Sequence, residues 1–248
     1  MSTTDSPPPP APFHVAILLF PGVTQLDFTG PLEVLHRVPG LRADLVWRDL
    51  EPVQCAAQTP PALRVLPSCS FESLARTDLL LVPGGPGVAA LLADDEVLGF
   101  LRRMASTARY VTSVCTGALV LGAAGLLEGY RATTHWAYRQ WLPRLGAIPV
   151  PERVVVDRDR ITGGGVTSGI DFALRVIAEI RGERLARLAQ LGLEYDPRPP
   201  YDSGTPEAAA PELVASMREL MRGLTARAGA AVEAAAARRD GCGDAGTR

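Results

Sequence analysis

The chain has 248 residues, 47% of them hydrophobic and 21% charged, enough to bury one sizeable core. All 25 basic residues are Arg, so chemistry that needs a lysine amine is excluded: Schiff bases, a pyridoxal-phosphate lysine, a P-loop lysine. A net charge of −2 with scattered arginines argues against nucleic acid as a partner.

Four cysteines, Cys55, Cys69, Cys115 and Cys242, form no CxxC pair, and His14, His36 and His135 complete no zinc-ligand spacing, so no metal site is expected. Residues 1 to 12 read as a Pro-rich, solvated tail. No basic residue precedes Arg37, and the apolar run Val15 to Phe20 is too short to span a bilayer. The expectation is a cytoplasmic protein with reduced thiols and no membrane partner.

His14 to Phe20 reads as a buried first strand ended by Pro21-Gly22. Thr29 then suits the N-cap of a helix, with Pro31 in its first turn. Ala43 to Trp47 is a second strand, 51 to 67 a hairpin or edge segment, and Asp78 to Val82 a continuous apolar strand running into Pro83-Gly84-Gly85-Pro86-Gly87. Helices are expected near 87 to 92 and 95 to 107. Arg109 to Val114 is a strand that turns sharply at Cys115-Thr116-Gly117 into a small-residue helix. Strands at 131 to 134, 154 to 157 and 160 to 162 follow, then Gly163-Gly164-Gly165 and a helix from about 167 to 181. Strand–helix alternation predicts an α/β sandwich with a mostly parallel sheet. Residues 13 to 200 form the expected domain, 201 to 237 an extension with a helix at 211 to 224, and 238 to 248 a disordered tail.

In such a sheet, ligands bind beyond the carboxyl ends of the strands. Cys115 sits at a strand-to-helix elbow, where the dipole of the following helix would lower its pKa and make it nucleophilic, although a buried structural cysteine has the same local sequence. Asp27 lies in a mostly apolar turn at the same end of the sheet. It is either paired, raised in pKa, or the cap of a helix beginning near Thr29. His135 fits a base or a packed ring, and a lone Gly-Gly loop is weak evidence of a site.

Taken together, FPGVTQLDFTGPLEVL, LLLVPGGPGV, YVTSVCTGALVLGAAGLL, ATTHWAY and TGGGVTSGIDFAL resemble the DJ-1/PfpI superfamily of class I glutamine-amidotransferase-like proteins. Within it, Asp-Phe-Thr-Gly-Pro with Cys-Thr-Gly is most similar to the bacterial isonitrile hydratases. The resemblance covers about Val15 to Pro200 and extends to LEYDPRPPYDSGTP. It implies a flavodoxin-like three-layer sandwich, a homodimer, and hydration of an isocyanide to an N-substituted formamide without metal or organic cofactor. Carried over residue by residue, the nucleophile matches Cys115, the acid/base Asp27 and the required threonine Thr116. Gly84 and Gly85 match the glycine loop that offers backbone N–H groups, and Gly30 and His135 join them as expected substrate-binding positions, with Leu26, Phe28 and Val88 as apolar walls. The absence of a His after the nucleophile, and of a Glu in place of Asp27, disfavours proteolysis. Two rival readings are the sensory half of an AraC-type regulator, with about 48 Ala-rich residues after Pro200 where a DNA-binding half would stand, and a DJ-1-type redox sensor.

Overall fold

The computed structural model describes residues 12–57 and 60–243, with side chains up to Arg239. The tail readings for 1 to 11 and 244 to 248 fall outside the described residues, as does the side chain of Cys242.

In chain order the elements are β1 (Phe13–Leu18), α1 (Gln25–Leu35), β2 (Leu41–Trp47), β3 (Val53–Gln54), β4 (Arg64–Val65), β5 (Cys69–Ser70) and β6 (Leu79–Val82). Next come α2 (Val88–Leu91), α3 (Asp95–Ala105), β7 (Tyr110–Val114), α4 (Gly117–Ala123), β8 (Arg131–Ala132), a 3-10 segment (Trp136–Leu145) and β9 (Ile148–Pro149). The chain closes with β10 (Val154–Asp157), β11 (Arg160–Gly163), α5 (Ser168–Arg181), α6 (Glu183–Gly192) and α7 (Pro211–Gly243).

Seven strands form one sheet in the order β10-β11-β7-β6-β1-β2-β5, parallel except for the β10–β11 edge pair. β6 and β7 are buried along their whole length, because α1, α5 and α6 lie on one side of the sheet and α3, α4 and α7 on the other. A strand covered on both faces has no use for polar alternation, which is why Leu79–Val82 reads as an unbroken apolar run. Within the segment read as a hairpin or edge, β3 pairs antiparallel with β4.

From β1 the chain moves outward to β2, and from β6 it moves the other way to β7. The strand order therefore reverses between neighbours β1 and β6, the place where loops diverge and leave a crevice. Register puts Val82 opposite Ser113, so Pro83-Gly84 emerges beside Val114-Cys115. The loop after β1 leaves the sheet one strand away.

The elements differ from expectation in three respects. α1 begins at Gln25 with Thr24 at its N-cap, so Thr29 lies inside the helix, where its hydroxyl donates to the Gln25 carbonyl at 2.9 Å. Pro31 also sits inside, and its missing N–H leaves the Asp27 carbonyl without the usual helical donor. The 3-10 segment, β5, β9 and α6 are further elements that the sequence reading lacks, and the strand expected at 131 to 134 is only Arg131–Ala132, paired with β9 outside the main sheet. The third difference is α7, a single helix of 33 residues that continues through the stretch read as a tail from 238. Its second half is built into the fold: Ala228, Val232 and Ala235 join the core. Arg238 donates to the Leu92 carbonyl at 2.6 Å, and Arg239 to the Leu145 carbonyl at 2.7 Å and to the Glu128 carboxylate.

Candidate active site

Cys115 occupies the turn between β7 and α4 with φ +55°, a left-handed conformation that a non-glycine residue adopts at a cost of about 1–3 kcal/mol. Hydrogen bonds hold it there. Its N–H is shared between the Gly163 and Gly164 carbonyls (3.1 and 2.8 Å), and the Thr134 hydroxyl donates to its carbonyl at 2.7 Å. Gly117 lets the turn close: a Cβ there would run into the Val82 carbonyl at the end of β6.

Asp27 stands in the first turn of α1 and is fully buried. Its Oδ2 accepts the Gly84 N–H at 2.9 Å, across the crevice from the loop after β6. This corrects the cap reading, since the carboxyl turns away from its own helix. Oδ1 is buried with no hydrogen-bond partner of ordinary geometry among the described residues, and the group that the carboxyl faces is the Cys115 thiol. Burial lifts the Asp27 pKa to about 7, against the opposing pull of the Gly84 N–H and the thiol.

The Cys115 thiol is pushed well above its ordinary range, first by burial and then by the Asp27 charge, while the Thr116 N–H and hydroxyl pull the other way. The expectation of a thiol lowered by the helix dipole is thus overturned. α4 has only seven residues, and its N-terminus acts on a sulfur that water barely reaches and a carboxyl faces.

Thr116 and Gly84 complete the cluster. The Gly85 N–H donates to Thr116 Oγ1 at 3.0 Å, tying the glycine loop to the elbow. A Cβ on Gly84 would lie 2.5 Å from the Thr116 nitrogen and 2.9 Å from Asp27 Oδ2, so only glycine lets the loop pass between acid and threonine.

The remaining expected residues divide. Val88 is buried and lines a small cavity together with Thr116. Gly30 does not reach the cluster, because the turn of α1 that carries it packs towards Ile170 of α5. Leu26 is 37% exposed and Phe28 belongs to the core, and neither lines the small cavity beside Thr116. His135 borders a separate cavity of about 320 Å³ with Arg139 and Gly164, its Nδ1 accepting the Ala137 N–H at 3.3 Å and its basicity lowered by burial and by Arg139. Tyr138, absent from the sequence reading, is buried close enough to feel the Cys115 charge. Its only signal is its place three residues after His135 in ATTHWAY, since neighbours on a turn share a face.

Among the described residues no three His, Cys, Asp or Glu side chains gather to hold a metal ion, and no helix is long and apolar enough to cross a membrane.

Residues 13–179 match the DJ-1/PfpI family. The chain belongs to that family. It is 52% identical over 206 residues to the isonitrile hydratase of Pseudomonas putida, a match covering 83% of this chain and 89% of that one. The transcriptional regulator CdhR of Pseudomonas aeruginosa is 32% identical over 176 residues, which are 68% of this chain but 51% of the regulator. Among solved structures, a ThiJ/PfpI family protein from Pseudomonas syringae superposes with a TM-score of 0.86 at 39% identity, covering 94% of this chain and 97% of the other. The likeness supports the mostly parallel α/β sandwich read from the strand–helix alternation and the flavodoxin-like form that the family resemblance implies.

Proposed function

We propose that this protein is an isonitrile hydratase that adds water to a small isocyanide and releases an N-substituted formamide, with Cys115 as nucleophile and Asp27 as acid and base. The observation that carries the reading is the pairing of a buried carboxyl of pKa about 7 with a buried thiol. At neutral pH the pair holds one proton in a large share of molecules, and that proton can be moved.

An isocyanide carbon must accept a nucleophile and a proton at the same atom. Ionised Asp27 takes the thiol proton as the substrate arrives, the thiolate attacks the terminal carbon, and Asp27 returns the proton to that carbon, giving a thioimidate on Cys115. The carboxylate then removes a proton from water as the oxygen adds to the same carbon, and passes it to the nitrogen. Collapse of the tetrahedral adduct breaks the C–S bond, the hydroxyl proton returns through Asp27 to the sulfur, and the formamide leaves. Thr116, which hydrogen-bonds the sulfur through its N–H and hydroxyl, steadies the thiolate at each stage.

The reading extends to a homodimer working in the cytoplasm, without metal or organic cofactor, and the 52% identical hydratase supports its chemistry. Incubation with a simple alkyl isocyanide, following the formamide by chromatography, tests it. Absence of turnover across several isocyanides would move the assignment to a ligand or redox sensor.

A further inference from the structure

The chemistry proposed above makes no use of the cavity beside His135. Its links to the elbow, Gly164 and the Thr134 hydroxyl, meet only main-chain atoms of Cys115. With a volume of about 320 Å³ it lies at the small end of the range for ligand pockets, so its occupant is a compact molecule.

Hydrogen-bond donors gather on its lining. The Arg139 side chain is only 24% exposed, its Nε has no hydrogen-bond partner among the described residues, and the carboxylate beside it, Glu207, stands at 3.9 Å, too far for a hydrogen bond. His135 Nδ1 accepts the Ala137 N–H, which leaves the proton of the neutral ring on Nε2 and makes that atom a second donor. Gly165, Val166 and Thr167 add the N-terminal end of the 14-residue α5, the positive end of its dipole. Thr133, fully buried on the same lining, has an Oγ1 without a partner among the described residues. The other charges around the cavity are matched: Arg153 pairs with Asp171 at 2.7 Å, and Glu152 with Arg131 at 3.4 Å. Arg139 is therefore the charge that lacks a close counterpart. Trp136, Pro151 and Pro206 supply apolar surface beside it.

We propose that this cavity is a second binding site, for a small organic carboxylate whose carboxyl group pairs with Arg139 and His135 Nε2 while its apolar body lies against Trp136, Pro151 and Pro206. Glu207 acts as a tethered competitor. Its carboxylate, 66% exposed at the rim, balances the Arg139 charge from a distance and gives way to the carboxylate of the ligand. The site does not depend on the hydratase reading, since neither the Cys115 thiol nor Asp27 lines it.

Calorimetric titration of the intact protein with benzoate, and with benzamide as an uncharged mimic of the same shape, tests the proposal. Benzoate should bind saturably and benzamide about tenfold or more weakly, the difference that a charge-assisted pairing makes. Arg139→Gln should remove most of that preference. Glu207→Gln, which takes the competing charge from an exposed side chain, should tighten benzoate severalfold and leave benzamide unchanged. Cys115→Ser should bind benzoate as the wild type does, which separates this cavity from the elbow. Melting curves identify an Arg139→Gln protein that fails to fold, and Glu207→Gln then decides. Failure of benzoate to bind, equal affinity for benzoate and benzamide, an unchanged benzoate affinity in Glu207→Gln, or loss of benzoate binding in Cys115→Ser overturns the proposal. If the wild-type protein turns over no isocyanide, the hydratase reading fails while the benzoate titrations still judge the cavity.

Discussion

Asp27 and Cys115 face one another inside the protein, the carboxyl raised to about 7 by burial although the thiol pulls it down, and the thiol raised further by burial and by the carboxylate's charge. They come from elements far apart in sequence, the first turn of α1 and the β7–α4 elbow, and meet because β1, β6 and β7 end side by side. Below pH 7 both groups hold their protons. Above it the carboxylate is ready to take the proton of the thiol.

The pH dependence follows from that order. kcat/KM should fall about tenfold per unit below an acid limb near 7 and stay level as pH rises towards 9, since the thiol titrates higher still. Asp27→Asn should lose turnover by about 10²-fold or more and lose the limb, while Cys115 remains open to alkylation. Asp27→Glu should also be poor, its extra methylene pressed into a space already closed by Gly84 and the sulfur. Initial rates across pH 5 to 9 check this, and a wild-type-like profile for Asp27→Asn would remove the carboxyl from the mechanism.

Cys115→Ser should abolish turnover, by about 10²-fold or more, because a hydroxyl is far less acidic than the thiol it replaces. The fold should persist, as serine is nearly the same size and the main-chain bonds that hold the elbow remain. Cys55→Ser and Cys69→Ser should turn over nearly as the wild type does: Cys55 is buried beside β3 and Cys69 is half-buried on the edge strand β5, both apart from the cluster. A large loss of rate at either would assign the nucleophile elsewhere.

Much of this arrangement is legible in the chain itself. The apolar runs before Pro21, Pro83 and Cys115 announce buried parallel strands, and the turns after them are where such sheets bind ligands. Thr29 and Pro31 mislead, because a proline at position seven of a helix looks like one in a first turn, so Asp27 reads as lying before a helix that in fact contains it. The raised thiol is invisible to local sequence, since the helix dipole can be read from neighbours whereas burial and a facing carboxyl depend on the whole fold. α7 is hidden for a related reason: its first half is largely exposed, and alanines and arginines at 228 to 239 look like solvated helix until the surface that they grip is known.

Gly84→Ala tests how tightly the loop is threaded. Its methyl would overlap the Thr116 backbone and approach Asp27, so the loop must retreat and the Gly84 N–H must leave Oδ2. A loss of about 1–3 kcal/mol in stability is expected, with a rate defect larger than that of Gly30→Ala, whose added Cβ meets only ordinary contacts. Thermal melts and initial rates of the two variants decide it.

Arg239→Ala should destabilise the protein although only nine residues follow it in the chain. The side chain serves the Leu145 carbonyl and Glu128 together, and a charged hydrogen bond of this kind contributes about 1.5–3 kcal/mol. A fall in Tm of several degrees is expected, with deletion of 238 to 248 at least as severe. An unchanged melting temperature for that deletion would mean that the end of α7 does not hold the helix in place.

Asp27→Asn should make the protein more stable, in a manner set by pH. Unfolded, the carboxyl ionises near 3.8, and folded it ionises near 7, so between these values the native state holds a proton that the unfolded state has released. Wild-type stability therefore falls as pH rises from about 4 to about 7 and is level above, the ionised carboxylate being the costly buried form. The asparagine keeps the acceptor for Gly84 and carries no charge at any pH. Its stability advantage should be absent near pH 4, grow through pH 5 to 7, and approach a ceiling of about 4 kcal/mol at pH 8. Denaturant melts of both proteins at pH 4.5, 6 and 8 measure it. A constant difference between them across that range would place the folded-state ionisation of Asp27 near its unfolded value, and with it would go the one-proton pair on which the proposed chemistry depends.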